Sequence, residues 1–146
     1  MARTKEMSSK VVPTTGLNLD FSKSPEVFKF LKSNAFVRGM MGPVGSGKSY
    51  ACAAEVMIRA VQQKPSPTDG IRYSRFVIVR NSYPELKTTT IKTWQDLFPE
   101  ATFGPMLWTP PITHHIRLPS RDGAAGIDCE VIFLALDQPK DVRKLL

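Results

Sequence analysis

The sequence predicts an α/β fold, with a mainly parallel sheet flanked by helices and a β-hairpin near the C-terminus. Three observations carry this prediction. A glycine-rich run at residues 42–49 is followed directly by a helical stretch. The stretch at residues 75–80, with a continuous apolar run between two arginines, is typical of a strand that is covered on both faces of a sheet. Two further strand-like runs, separated by a flexible turn, predict the hairpin.

The glycine-rich run matches the phosphate-binding loop of P-loop NTPases, G-x-x-x-x-G-K-[S/T]. Its glycines allow main-chain N–H groups to curl around a phosphate. Lys48 brings a compact positive charge to the outer phosphates, which also makes it the candidate catalytic residue, and the Ser49 hydroxyl is the candidate Mg²⁺ ligand. The predicted nucleotide-binding residues are Gly42, Pro43, Val44, Gly45, Ser46, Gly47, Lys48 and Ser49.

Local patterns define the elements on either side of the loop. Residues 24–26 carry the serine cap and the first-turn proline of a helix start. The apolar residues 35–41 predict the strand that leads into the loop. Residues 49–62 are apolar almost all round, which predicts a helix buried on more than one side. Glu55 and Arg59 are four residues apart and are expected to share its one exposed face.

The second half of the chain alternates between helix and strand patterns. After the strand at residues 75–80, a helix is predicted over residues 88–98, with Trp94 in the core rather than in a base-stacking site. The hairpin strands are predicted at residues 114–118 and 128–136, joined by a turn rich in glycine. An amphipathic helix is predicted to begin at Gln138-Pro139, and the chain ends within it.

Composition narrows the class of protein. The 146 residues suffice for one modest core, and the hydrophobic fraction of 42% is ordinary for a globular domain. No apolar run reaches the length of a membrane span, and no secretory signal is recognisable. The net charge of +7 favours an anionic partner such as nucleic acid, and it fits a solvated basic surface equally well. Cys52 and Cys129 lack metal-ligand spacing, which suits a reducing cytoplasm, and Cys52 is expected to be a packed thiol.

Four stretches together resemble the N-terminal ATPase part of the large terminase subunit of tailed bacteriophages. They lie at residues 36–49, 76–86, 89–94 and 133–145, and the run VRNSYPELKTTTIKTW is the most discriminating. The resemblance implies a P-loop ATPase that uses ATP and Mg²⁺ to package double-stranded viral DNA into the procapsid. It also implies a ring homo-oligomer in the host cell cytoplasm, working with the portal protein and the small terminase subunit.

Two departures from this family limit what can be transferred. Val44 stands where many members carry an arginine, which leaves Arg38 or Arg80 as other sources of positive charge. In the family, the acidic Mg²⁺-binding strand, the catalytic glutamate and the nuclease domain follow the segment that closes this chain. We therefore expect a flexible arm and lead-in at residues 1–23 and an incomplete P-loop ATPase domain at residues 24–146.

Several single residues have two interpretations. Asp137 ends an apolar strand and is either a Mg²⁺-binding aspartate or, as the hairpin and the resemblance favour, part of the cap of the next helix. Arg80 ends a predicted strand, where ligands of α/β sheets gather, and is either a γ-phosphate sensor or one half of a surface ion pair. His114 and His115 are adjacent, so on a strand they face opposite sides and cannot chelate one ion together.

Two other functions stay open at this point. The first is a P-loop phosphotransferase, such as a small nucleotide kinase, with Arg117, Arg121 and the turn at residues 120–126 as its lid. The second is an inactive fragment that binds nucleotide or DNA. Phosphate transfer from ATP to nucleoside monophosphates distinguishes the kinase. Lys48→Ala is expected to weaken nucleotide binding under both enzymatic interpretations.

Overall fold

The structure of the chain, a computed structural model, describes residues 10–11, 19–21, 23–138, 141 and 143. Its helices are α1 Pro25–Lys32, α2 Lys48–Gln62, α3 Tyr83–Glu85, α4 Lys92–Leu97 and α5 Glu100–Phe103, with a π-helical turn Leu86–Ile91 between α3 and α4. Its strands are β1 Lys10–Val11, β2 Leu19–Asp20, β3 Arg72–Arg80, β4 Met106–Leu107, β5 Ile112–Leu118 and β6 Ile127–Ala135. Most of the predicted N-terminal arm and of the helix predicted from Gln138 onward lies outside the described residues.

The fold is α/β, with a four-stranded mixed sheet flanked by helices. The strand order is β3-β6-β5-β4, in which β3 and β6 are parallel and the other two pairs are antiparallel. The predicted hairpin is confirmed as β5 and β6, but the prediction of a mainly parallel sheet is wrong. The connections at residues 108–111 and 119–126 are too short for the crossover that parallel neighbours require.

The main core lies between one face of the sheet and helices α2 and α4. Trp94 is buried there, as predicted, against Phe98 and Phe133. Helix α2 also packs on α1 through a second cluster, so the prediction that it is buried on more than one side is confirmed. This second cluster consists of Val27, Leu31, Ala51 and Ile58.

The other face of the sheet is open at strand β3. Side chains alternate along a strand, and Tyr73, Val77 and Val79 are 54%, 45% and 40% exposed. The prediction that this strand is covered on both faces is therefore wrong for the described part of the chain. One face of this strand is half-buried against the core, through Phe76 and Ile78, and on the other face the valines remain in contact with water.

Helix formation after β3 begins earlier than predicted. Ser82 is the N-cap, and its side chain accepts a hydrogen bond from the Glu85 N–H at 3.4 Å. Pro84 lies within the first turn, where the missing N–H costs nothing. The helical stretch therefore starts at Tyr83 rather than at Thr88, and the proline assists the helix start.

The strand predicted at residues 35–41 is absent. This segment bends at Phe36 and Val37 and is largely exposed to solvent, with Phe36 fully exposed. The guanidinium of Arg38 donates hydrogen bonds to Phe30 O at 3.2 Å and to Ser33 O at 3.1 Å. These bonds tie the segment to the C-terminal end of α1 rather than to the sheet, which gives a physical reason for the difference.

Candidate functional site

The glycine-rich run forms a tight loop that ends in helix α2. Gly45 and Gly47 have φ values of +81° and +80°, a left-handed conformation that a side chain disfavours. Gly47 is the N-cap of α2, and the helix begins at Lys48. The loop and helix therefore occur where the motif places them, although the strand that should precede the loop does not.

Lys48 folds back over the loop that precedes it. Its Nζ donates hydrogen bonds to Gly42 O at 2.7 Å, to Pro43 O at 2.6 Å and to Ser46 Oγ at 3.0 Å. An ammonium group has three donors, and all three are used here. The side chain thus holds the first residues of the loop against the start of α2 and fixes its positive charge at that position.

The N-terminal end of α2 adds positive potential at the same place. The first turn of this 15-residue helix contains no acidic side chain. Its unpaired N–H groups and the helix dipole therefore act together with the Lys48 charge. Such an arrangement attracts anions, and phosphates in particular.

Ser49 lines a cavity of about 230 Å³ between α2, β3 and the helical stretch that follows β3. Its polar lining residues include Cys52, Arg80, Thr90 and Thr93. The sequence had placed Arg80 at a functional end of the sheet, and the structure brings it to the same cavity as Ser49. The threonines were missed, although a run of three threonines at residues 88–90 was a visible signal.

Hydroxyl groups hold the guanidinium of Arg80. Its Nε donates to Thr90 Oγ1 at 2.8 Å and its Nη2 donates to Thr89 Oγ1 at 3.2 Å. Thr89 Oγ1 in turn donates to Glu85 O at 2.6 Å. These contacts position Arg80 on the π-helical turn, and π-helical turns often occur at functional sites.

Cys52 is exposed, so the prediction of a packed thiol is wrong for this residue. Partial burial in the cavity wall raises the pKa of the Cys52 thiol, and the nearby Glu55 carboxylate raises it further. The thiol therefore stays protonated at neutral pH. Cys129 is buried in the core, and burial also raises the pKa of its thiol.

Asp137 lies in a different cavity from Ser49. Its two carboxylate oxygens accept hydrogen bonds from the Tyr83 N–H at 3.0 Å and 3.3 Å. It lines a cavity of about 480 Å³ whose walls include Val77, Ile132 and Leu134. Asp137 therefore caps the helical stretch that starts at Tyr83, while the helix after Gln138 that the sequence had suggested lies mostly outside the described residues.

Arg38 is part of a buried ionic cluster. Its guanidinium contacts the Glu55 carboxylate, and Arg59 Nε donates to Glu55 Oε1 at 2.5 Å. The predicted pairing of Glu55 with Arg59 is confirmed, but Glu55 is only 7% exposed, so the expected exposed face is wrong. Because Arg38 is engaged here, it does not line the cavity of Ser49.

The two histidines face opposite sides of β5, as predicted. His114 is buried, with Nδ1 accepting from Trp94 Nε1 at 2.9 Å and Nε2 donating to Gly104 O at 2.9 Å. Since an indole N–H can only donate, this ring is neutral, and burial lowers its pKa. His115 on the other face pairs with Asp128.

The residues considered above as a kinase lid lie far from the cavity that Ser49 lines. The turn at residues 120–126 precedes the first residue of β6, whereas the Ser49 cavity reaches Arg80 at the last residue of β3. These strands are parallel, so the two places are about 25–30 Å apart, the length of a nine-residue strand. The structure does not bring Arg117 or Arg121 to the cavity.

No family model, no curated protein and no solved structure matches this chain. Within the described ranges, no helix is long and apolar enough to cross a membrane. The same residues contain no group of three or more His, Cys, Asp or Glu side chains that could hold a metal ion.

Proposed function

We propose that this chain binds ATP together with Mg²⁺ at the loop of residues 42–49. One observation carries the proposal: the Lys48 ammonium is fixed over the loop, at the N-terminal end of α2 and beside the cavity that Ser49 lines. A fixed cation, unpaired N–H groups and a hydroxyl converge there. These are the groups that phosphate chains and magnesium use.

Each residue has a separate role in this proposal. The loop N–H groups bind phosphate oxygens, and the Lys48 charge offsets the negative charge that develops on them during phosphoryl transfer. Stabilisation of this developing charge is the catalytic role that we assign to Lys48. The Ser49 hydroxyl would hold Mg²⁺, which when bound would supply positive charge that stabilises the phosphate chain. The glycines provide the close approach of the main chain that these contacts need.

The wider role that we propose is that of the ATP-binding portion of a phage terminase large subunit. The resemblance at residues 36–49, 76–86, 89–94 and 133–145 supports it, together with the net charge of +7. In that role, residues 24–146 belong to a P-loop ATPase domain, and ATP hydrolysis drives the packaging of double-stranded viral DNA. The ring oligomer, the portal protein and the small terminase subunit are proposed on the same basis.

Titration calorimetry with Mg²⁺ and a non-hydrolysable ATP analogue tests nucleotide binding directly. The wild-type chain is expected to bind, and Lys48→Ala is expected to weaken binding at least tenfold, since it removes a charge-assisted contact of about 1.5–3 kcal/mol. Lys64→Ala, in the exposed loop after α2, is the matched control and should change little. Absence of binding at millimolar analogue on folded protein would overturn the proposal.

The exposed thiol of Cys52 offers a second readout of the same site. Cys52 lines the cavity with Ser49, while Cys129 is buried and serves as an internal reference. Because the Cys52 pKa is raised, labelling with a thiol reagent is best followed near pH 9. Nucleotide with Mg²⁺ should slow the labelling of Cys52 and leave Cys129 unreactive. Equal labelling rates with and without nucleotide would contradict occupation of this cavity.

A further inference from the structure

Arg80 is a fixed cation on the wall of the cavity opposite Ser49. It ends β3, whereas Ser49 lies in the first turn of α2, and the two residues belong to different elements that meet at this cavity. Thr90 and Thr89 accept hydrogen bonds from its Nε and Nη2, so the plane of the guanidinium is set. Within residues 23–138, no hydrogen bond occupies the remaining nitrogen, Nη1.

The partners of Arg80 leave its positive charge uncompensated. Hydroxyl groups orient a guanidinium without cancelling its charge. Three other arginines differ, because Arg38 and Arg59 contact the Glu55 carboxylate and Arg75 contacts that of Glu130. Arg72 is also held by neutral acceptors, the carbonyls of Gln63 and Ala125, but it lies at the first residue of β3, away from the cavity. Arg80 therefore combines a charge without a carboxylate contact with a place on the cavity that the proposed magnesium ligand Ser49 lines.

We propose that Arg80 contacts the terminal phosphate of the bound nucleotide and so distinguishes a nucleoside triphosphate from a diphosphate. The inference rests on the proposed function, because the loop and Lys48 must first place the phosphate chain. A guanidinium can donate two parallel hydrogen bonds to one phosphate, which gives both affinity and orientation. A diphosphate ends one phosphate earlier, so it gains less from this contact.

Thr89 and Thr90 are positioning residues for this contact. Thr89 Oγ1 accepts from Arg80 and donates to Glu85 O, which links the guanidinium to the main chain of α3. A phosphate would draw on the same guanidinium that the threonines now hold. Both threonines lie on the π-helical turn of the stretch from Tyr83 to Leu97, so this turn sets the direction of the guanidinium toward the cavity.

The test compares the affinities of the full chain for a non-hydrolysable ATP analogue and for ADP, each with Mg²⁺, by calorimetry. Arg80→Gln is expected to lower the affinity for the triphosphate analogue tenfold to a hundredfold, while the affinity for ADP changes by less than about threefold. Arg80→Lys keeps the positive charge but lacks the two parallel N–H donors of a guanidinium. It should recover part of the preference for the triphosphate analogue over ADP. Thr90→Val, which keeps the shape of the side chain, should lower the preference by a smaller factor.

Arg75→Gln is the matched control. It removes one positive charge from the same strand, but its side chain is 73% exposed and pairs with Glu130. It is expected to leave both affinities unchanged, and it also measures the effect of net charge alone. Circular dichroism of each variant establishes that it is folded.

The outcomes separate the two proposals. If wild type binds both ligands and Arg80→Gln weakens them by equal factors, or weakens neither, the discriminating role of Arg80 is wrong while nucleotide binding stands. If folded wild type binds neither ligand, the proposed function fails and the role of Arg80 fails with it. A selective loss of the triphosphate analogue in Arg80→Gln, absent from Arg75→Gln, is the result that supports the inference.

Discussion

The Glu55 carboxylate connects three segments around the nucleotide loop. The substitution Glu55→Gln, which removes its negative charge, is therefore expected to destabilise the fold and loosen the loop. The guanidinium groups of Arg38 and Arg59 both contact Glu55 Oε1. Arg38 also binds the carbonyls of Phe30 and Ser33, and lies four residues before the loop. The carboxylate therefore holds the end of α1 and the approach to the loop against α2.

The magnitude follows from the number of contacts and their exposure. Two charge-assisted hydrogen bonds contribute about 1.5–3 kcal/mol each, or roughly 3–6 kcal/mol together. The side chains of Arg38 and Arg59 remain 19% and 23% exposed, and both keep carbonyl acceptors. Water and these acceptors offset about half of the loss. We expect a decrease of about 1.5–3 kcal/mol in the free energy of unfolding, or roughly 4–10 °C in Tm.

Urea unfolding followed by circular dichroism measures this change, with Glu130→Gln as the control. Glu130 pairs with Arg75, an arginine whose side chain is 73% exposed, and an exposed pair contributes at most about 1 kcal/mol. A double-mutant cycle of Glu55→Gln with Arg59→Gln should give a coupling energy above about 1 kcal/mol. If Glu55→Gln costs no more than Glu130→Gln, the argument that this cluster anchors the loop is refuted.

Two further predictions concern His114 and Asp137. Burial lowers the pKa of His114 below its unfolded value of about 6.5, so the unfolded chain takes up the proton first and stability is lost as the pH falls below about 6.5. Unfolding free energies measured between pH 7.5 and pH 5 should show this slope in wild type and in His115→Gln, and a stability that instead rises towards pH 5 would contradict it. Asp137→Ala is expected to remove about 1 kcal/mol of stability by uncapping the helical stretch at Tyr83, with little effect on the affinity for Mg²⁺-ATP analogue. Asp137→Asn, which keeps an acceptor, should retain most of that stability, and a large loss of affinity in both variants would mean that Asp137 is a magnesium ligand.

Patterns that depend on near neighbours in the sequence were readable in advance. The serine and proline at residues 24–25 predicted the start of α1, and the apolar run after Ser49 predicted α2. The glycine-rich turn predicted the β5–β6 hairpin. Each of these features is decided by contacts over a few residues, such as a cap, a tight turn or one helical repeat.

Features that depend on distant partners were not readable. The apolar residues 35–41 have the composition of a strand, but Arg38 binds carbonyls at the end of α1 and Glu55 on α2, which no local pattern reveals. For the same reason, Glu55 was expected on an exposed face. The burial of a carboxylate becomes favourable only when two guanidinium groups reach it from other turns or segments.

The choice between Arg38 and Arg80 as the extra cation of the nucleotide site illustrates why partners decide function. Sequence alone left both open. The Glu55 carboxylate offsets one of the two positive charges that share it, and its contact together with the carbonyls of Phe30 and Ser33 commits Arg38 to holding the fold together. Hydroxyl partners fix the direction of Arg80 and leave its charge available to the cavity that Ser49 lines. Since Arg38 does not line that cavity, the electrostatic argument for binding a terminal phosphate applies to Arg80 and not to Arg38.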